Sequence, residues 1–420
     1  MEPTTPLENP APARSSAPQW SLIALLLAAA FVLGLHESTR DTAALDMLNG
    51  MTHAGFGNEI MLINHAFNGT FVLCSLLAGW LIGRLGYNRL FILGASGVLL
   101  GIVGWAMRVP WPLPILFEGL IGAGQGLIMT AAITYIVTLS KPINLFVLLF
   151  AISIGSLVGW LIFSFRAVVL LPIVLEPMRI FNYLMLASAI LLAIFIAFRW
   201  RWRTYMPTGE AFWFHTFEQT LRTPRSWMVL VLFVVVRFVM TALGQGAYLI
   251  SWNADPISVN VLFQTIAIAE ILGLVIAAVV SLHWSASALI PVGLMGACIA
   301  AVRIATLPDD ASGYGLFALC AAPLYGLVIL RMYRVLGIHH LPSIVGIEAA
   351  LRVALVPMLA SGFRAILTYE VNVESLSAIL IGSLAIFALV YGWTLRSEAV
   401  RKKKAEDYGE TPELDPIAPV

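Results

Sequence analysis

The chain has 420 residues, of which 60% are hydrophobic and only 11% are charged. Soluble globular proteins carry about a quarter charged residues, so this composition excludes a protein with an ordinary water-facing surface. The formal net charge of +1 gives no general attraction to nucleic acid, and we expect no nucleic-acid partner. The apolar residues fall in blocks of about twenty, the length of a membrane-spanning helix. We therefore predict an all-α membrane protein embedded in the lipid bilayer.

The apolar blocks predict about twelve transmembrane helices in two six-helix halves. Residues 1–18 are a polar, Pro-rich tail, and residues 19–198 contain the first six predicted spans. Residues 199–225 are the longest polar connection and contain five arginines. Residues 226–395 contain six more spans, and residues 396–420 are a second polar tail. We expect both tails to be disordered, because neither can bury enough apolar surface to fold.

The positions of lysine and arginine predict the orientation of the spans. Lys141, the central connection and the run Arg401–Lys404 all fall on one side of the predicted topology. Basic connections stay in the cytoplasm, so we expect both termini and the central connection on the cytoplasmic side of an inner membrane. Within that connection, Gly209–Leu221 has the pattern of an amphipathic helix on the membrane surface. A simple basic linker is the alternative.

A short basic turn between predicted spans 2 and 3 contains Gly79, Arg84, Gly86 and Arg89. Glycine permits a tight reversal of the chain, and arginine favours the cytoplasmic face. The turn resembles the signature G-x-x-x-D-R-x-G-R-R of the major facilitator superfamily. Gly83 stands at the signature's aspartate, so the carboxylate of the family's usual latch between the two halves is missing. The resemblance implies that the four residues form a cytoplasmic gating turn.

Predicted span 4 contains Gly122, Gly124 and Gly126, small residues that allow membrane helices to approach closely. With Glu118 they resemble the R-x-x-x-G-x-G-x-G helix of the same superfamily, although Glu118 replaces the arginine. The resemblance implies a twelve-helix transporter that works by alternating access.

Span 1 passes from an apolar run into His36, Glu37, Arg40 and Asp41. If the helix ended at Leu35, its apolar part would have only 16 residues, which is short for about 30 Å of hydrocarbon at 1.5 Å per residue. That length favours a helix that includes the ionisable residues, with an extracytoplasmic loop as the alternative. The segment also resembles L-D-x-T-I-V-N of the drug–proton antiporter branch, with Asp41 at the carboxylate. A carboxylate in a partly dehydrated cavity can exchange a proton near neutral pH.

Other polar residues at predicted membrane depth are candidates for proton coupling or for a substrate cavity. Because charge at the bilayer centre is costly, such residues should face protein or water. The full set of candidates is Glu37, Asp41, Asn64, Asn68, Glu118, Arg237, Glu270, Glu348 and Arg352.

Several of these candidates have an alternative structural role. Asn64 and Asn68 share a helix face and could instead form hydrogen bonds between helices. Glu118 could be the structural partner of an arginine. Glu348 and Arg352, one turn apart, either neutralise each other or form a pair that opens as the halves move. Arg237 could contact an anionic substrate, so the sign of the substrate's charge stays open.

Together these features predict a secondary active transporter that moves a small organic molecule across the membrane by alternating access, coupled to protons. The match in span 1 favours export, whereas span 5 lacks the antiporter branch's Gly-Pro pair and leaves import by proton symport as an alternative. A non-transporting sensor or scaffold with the same fold is a second alternative. The expected partners are the substrate, protons and lipid, and we expect a monomer. No nucleotide-binding loop, nucleophile motif or metal-ligand spacing occurs, so we expect no enzyme activity, cofactor or metal.

Overall fold

The structure is a computed structural model. It describes residues 24, 26–36, 57–107, 110, 112–139, 143–169, eight positions between 186 and 197, 213–251, 256–307, 310–336, 340–351 and 373–407. Nearly all of these residues are helical and none of them lies in a strand, which confirms the prediction of an all-α protein.

The N-terminal set of helices corresponds to the first six predicted spans. It consists of α1 (Leu26–His36), α2 (Gly57–Ala106), α3 (Leu113–Leu139), α4 (Ile143–Val169) and α5, the helical positions between 186 and 197. Helix α2 includes both span 2 and span 3.

The C-terminal set follows a short helix, α6 (Trp213–Arg222). It consists of α7 (Pro224–Ser251), α8 (Pro256–Val280), α9 (Ala286–Thr306), α10 (Ala311–Leu336), α11 (Leu341–Leu351) and α12 (Val373–Asp407).

Six helices within the described part of the chain are long and apolar enough to cross a membrane. Large apolar side chains such as Leu389, Met295 and Ile299 lie exposed on their outer faces. A soluble protein would bury such side chains, whereas lipid solvates them. The chain is therefore a multi-pass membrane protein.

Gly86 divides α2 into two segments. It has φ 72° and ψ 161°, a backbone conformation that residues with a side chain rarely adopt. The residues on both sides of it are helical, so the reversal predicted for the turn is confined to this one position.

Helix α3 packs between the two segments of α2, and the order of its contacts with each segment shows in which direction that segment runs. Gly122 and Gly126 of α3 lie against the backbone carbonyls of Phe67 and Phe71 in the first segment, so that segment runs parallel to α3. On the second segment the order of contacts is reversed.

In that second segment Gly94 lies opposite Gly124, and Gly101 lies opposite Phe117 earlier in α3. The second segment therefore runs antiparallel to α3 and to the first segment. Since α3 presents glycines to both segments of α2, the three helical segments approach one another closely enough for their backbones to touch.

The N-terminal and C-terminal sets pack together at the end of the bundle that carries Arg84, Arg89 and Arg331, here called the basic end. A Cβ atom added to Gly346 of α11 would lie 2.7 Å from the carbonyl oxygen of Ser75 in α2. The two sets therefore touch through their backbones at this end.

Helices α4 and α10 make a second close contact near the basic end. A Cβ atom added to Gly326 of α10 would lie 3.0 Å from the ring of Phe146 in α4. The larger apolar core cluster likewise contains residues of both sets, such as Phe71, Leu148 and Val345. A second cluster, towards the opposite end, contains residues of the C-terminal set alone.

The predicted disorder of residues 396–420 is wrong for residues 396–407, which continue helix α12 to Asp407. Two causes are visible. Lys, Ala, Glu and Arg are strong helix formers, and residues 398–406 consist largely of them. Glu398 also forms an ion pair with Arg331 of α10, which fixes the extended helix to the bundle.

Within the central connection, α6 shows that part of the Gly209–Leu221 segment is helical. Its Thr220 is buried and lies 2.8 Å from Nδ1 of His340, while Glu218 and Arg222 are exposed. The helix therefore has one face against the bundle and one polar face.

Replacing Gly124 by alanine should destabilise the fold, because the added methyl would overlap the backbone of Gly94 and the side chain of Val98. Overpacking of this kind costs about 1–3 kcal/mol. The free energy of unfolding, measured by tryptophan fluorescence in detergent, should fall by that amount.

Gly382→Ala is the matched control, because a Cβ atom at Gly382 meets nothing within 4 Å. Alanine is the better helix former, so this variant should be as stable as the wild type or more stable. Equal effects of the two substitutions would contradict the proposed close packing of α3.

Candidate functional site

A cavity of about 240 Å³ lies between the N-terminal and C-terminal sets. One wall is formed by α1, α2, α3 and α4, and the other by α7, α8, α10 and α11. Pockets for drug-sized ligands measure about 300–1,000 Å³, so this cavity suits a smaller molecule.

The N-terminal wall offers hydroxyl groups and apolar side chains. Its polar residues are Ser75, Thr130, Ser153 and Ser156, and none of the described residues that line it is charged. The Ser75 hydroxyl donates a weak hydrogen bond of 3.4 Å to the carbonyl oxygen of Gly126. Phe71 adds an aromatic surface to this wall. In the described part of the chain, this wall can therefore accept or donate neutral hydrogen bonds but supplies no counter-charge.

The C-terminal wall contains a cluster of three side chains, Arg237, Tyr325 and Glu348. The Nε atom of Arg237 lies 3.5 Å from Oε1 of Glu348, and the hydroxyl of Tyr325 donates a hydrogen bond of 3.2 Å to Oε2 of the same carboxylate. The guanidinium carbon of Arg237 lies 3.8 Å from the centre of the Tyr325 ring, a close cation–π contact. The carboxylate is thus matched in charge and hydrogen-bonded, as a buried charge must be.

Glu270 of α8 is the other carboxylate in the cavity lining. It is half-buried, and it makes no hydrogen bond or ion pair with the residues that the structure describes. Its carboxylate interacts electrostatically with the positive charge of Arg237. That charge is already opposed by Glu348 at closer range.

A second buried pair lies within the N-terminal set, outside the cavity lining. Nε2 of His36 in α1 lies 3.2 Å from Oε1 of Glu118 in α3, and both side chains are only 2% exposed. His36 also packs against the ring of Phe67. Spacing along one helix could not reveal this partner of His36, because Glu118 lies on another helix.

Some predicted site residues lie elsewhere. Asn64 and Asn68 of α2 are half-buried and are not among the cavity-lining residues. Arg84 and Arg89 are exposed at the basic end, where the guanidinium of Arg84 stacks over the Trp80 ring at 4.6 Å. Gly79 lies in the first segment of α2, half-buried and one turn before the same end.

Glu37, Asp41 and Arg352 lie outside the described residues, so their predicted roles stay predictions. Helix α1 is helical through His36, one residue beyond the end expected for the shorter span. For Glu348, the structure places Arg237 and Tyr325 beside the carboxylate.

The sequence pattern did not mark Tyr325, Thr130, Ser153 or Ser156 as site residues. Serine, threonine and tyrosine occur throughout membrane helices, where they pack without functional meaning, so their residue type carried no signal. The described residues contain no group of three or more His, Cys, Asp or Glu that could hold a metal ion.

The ion pair between Arg237 and Glu348 should show energetic coupling in a double-mutant cycle. Removing one partner of a buried pair leaves the other charge uncompensated, so Glu348→Gln and Arg237→Met should each destabilise the protein. The double variant should be less destabilised than the sum, with a coupling energy of about 1–3 kcal/mol.

Thermal unfolding of the four proteins in detergent measures that coupling. Arg237 keeps 30% of its side chain exposed, so we expect a value near the lower end of the range. Strictly additive effects would contradict the pairing.

Comparison with known proteins relates this architecture to solved transporters. The chain superimposes on the fucose:proton symporter of E. coli with a TM-score of 0.69 and 15% sequence identity, covering 89% of this chain and 98% of the symporter. It matches a proton:xylose symporter with a TM-score of 0.67 and 13% identity, covering 90% and 95% of the two chains.

The human organic anion transporter MFSD10 gives a TM-score of 0.67 at 14% identity, covering 89% of this chain and 99% of that one. No protein-family model matches the sequence, and neither does any curated protein. At these identities the similarity establishes the fold, which is that of the major facilitator superfamily. The resemblance of the predicted gating turn and of the span 4 glycines to superfamily motifs implied the same fold.

Proposed function

We propose that the protein is a secondary active transporter that moves a small organic molecule by alternating access. The observation that carries the proposal is the cavity between the N-terminal and C-terminal sets, lined by hydroxyls on one wall and by charged groups on the other. Ionisable residues at membrane depth are expensive, and they commonly mark a substrate or ion pathway. Three solved proteins with this fold are transporters.

The packing of the two sets supports the alternating-access step. At the basic end the sets touch through Gly346 and Ser75 and through Gly326 and Phe146. These contacts are apolar or between backbones, so the sets can separate there without stripping a partner from a charge. Closure at one end and opening at the other is how transporters of this architecture expose a central site.

We place a proton-coupling site at the pair of Glu118 and His36. Both groups are buried together, and a carboxylate in contact with an imidazole can hold a proton in one arrangement and release it in another. The pair joins α1 to α3, so a movement of either helix would alter it. Glu37 and Asp41 follow His36 in sequence and are candidates for the same pathway.

We propose that the protein imports its substrate by proton symport. The loose motif in span 1 favoured export, but two of the solved proteins with this fold are named as proton symporters. The basic end, with the arginines of α2 and α10, is the face that we assign to the cytoplasm. Both chain termini then lie on the cytoplasmic side of the cell membrane.

Proton movement in liposomes tests this function. Purified protein is reconstituted with an internal pH-sensitive dye, and fucose, xylose, benzoate or choline is added outside without an imposed gradient. Symport predicts that at least one solute causes internal acidification, and that Glu118→Gln abolishes it while leaving the protein folded.

Glu218→Gln is the control, because it makes the same carboxylate-to-amide change on the exposed face of α6. Acidification that survives Glu118→Gln would contradict the proposed proton site, and acidification that also survives Asp41→Asn would exclude Asp41 from the pathway. If none of the four solutes moves protons and the protein forms a stable complex with a partner, the scaffold alternative is favoured instead.

A further inference from the structure

The charges of the cavity do not balance. Arg237 supplies one positive charge, and the carboxylates of Glu348 and Glu270 supply two negative charges. Among the residues that the structure describes, no other charged residue lines the cavity, and Tyr325 is the one further titratable side chain. With both carboxylates ionised, the cavity carries one uncompensated negative charge.

That uncompensated charge belongs to Glu270. Glu348 is 5% exposed, pairs with Arg237 and accepts a hydrogen bond from Tyr325. The face of Arg237 is occupied by the Tyr325 ring at 3.8 Å. Glu270 has neither an ion pair nor a hydrogen bond within the described residues, although it lines the same cavity. Across the cavity, the described residues of the N-terminal wall include no cation.

We infer that the cavity binds small organic cations, with Glu270 as the counter-ion for their positive charge. A cation placed there would neutralise the cavity, whereas an anion would meet two carboxylates and an arginine that is already paired. The aromatic rings of Phe71 and Tyr325 line the same space, and aromatic faces attract organic cations. The volume of about 240 Å³ limits the ligand to a small molecule. The inference names a substrate class for the proposed transporter and rests on that function for its biological meaning.

Four probes of nearly equal shape separate charge from size. Choline is a cation, 3,3-dimethyl-1-butanol is its neutral carbon analogue, 3,3-dimethylbutanoate is an anion, and glycine betaine is a zwitterion. Their binding to the full-length protein in detergent is measured by calorimetry or by the ligand-induced shift in melting temperature. Choline should bind at least tenfold more tightly than the neutral and anionic analogues, since a charge pair in a partly dehydrated site is worth more than that factor.

Substitution of Glu270 by glutamine should then lower the affinity for choline by at least tenfold, while binding of 3,3-dimethyl-1-butanol changes less than twofold. Glu218→Gln again provides the matched control and should leave both affinities unchanged. The comparison of probes on the wild-type protein needs no variant, so the test stands even if Glu270→Gln fails to fold.

Three results would overturn the inference: no binding of choline to the wild type, preferential binding of the anion or the zwitterion, or choline binding that Glu270→Gln leaves intact. Binding is measured at equilibrium and requires no transport. A protein that binds choline through Glu270 yet moves no solute would therefore refute only the proposed transport function. A protein that transports fucose or benzoate without preferring choline would refute only the cation site.

Discussion

A charged side chain at the centre of a bilayer costs about 2.5–3.5 kcal/mol on insertion scales, and more on an isolated helix. In a chain with only 11% charged residues, the few charges in the spans therefore decide which helix faces must turn inward. The described part of the chain satisfies this constraint with pairs between helices: His36 with Glu118, Arg237 with Glu348, and Arg331 with Glu398. These pairs fix the rotation of α1, α3, α7, α10, α11 and α12 about their axes, which apolar packing in lipid would leave poorly specified.

The way these ion pairs are divided between the two sets bears on how the sets can move against each other. Each ion pair among the described residues joins helices of the same set or lies within one element, and none crosses from the N-terminal to the C-terminal set. The contacts between the sets are instead apolar or glycine-mediated, as at Gly346 and Gly326. Because no ion pair among the described residues has to break, two such rigid bodies can rock against each other at low cost, which is the mechanical requirement of alternating access. The cavity lies where the two bodies meet, and the charged groups that line it among the described residues all belong to the C-terminal set.

The sequence could predict those parts of the structure that depend on one helix at a time. Hydropathy and the basic connections predicted the helical spans, and the small residues of span 4 indicated close approach of helices, as Gly122 and Gly124 now illustrate. Membrane depth alone marked Glu118, Arg237, Glu270 and Glu348 as candidates. Their partners could not be predicted, because spacing reports only which residues share a face of the same helix. The spacing along α11 suggested only Arg352, which lies outside the described residues, and could not reveal that Arg237 of α7 lies beside Glu348.

Rocking of the two sets about the cavity can be followed by pulsed electron–electron double resonance, which measures distances between spin labels at both ends of the bundle. One pair of spin labels at Arg89 and Trp284 spans the basic end, and another at Leu113 and Leu307 spans the opposite end; all four positions are exposed. Replacing Gly346 by leucine inserts a side chain into the backbone contact with Ser75 and should disfavour closure at the basic end. If the sets rock, the first distance lengthens and the second shortens in this variant, while Gly392→Leu, whose site is open, changes neither. Distances that stay fixed at both ends, or that lengthen together, would contradict alternating access.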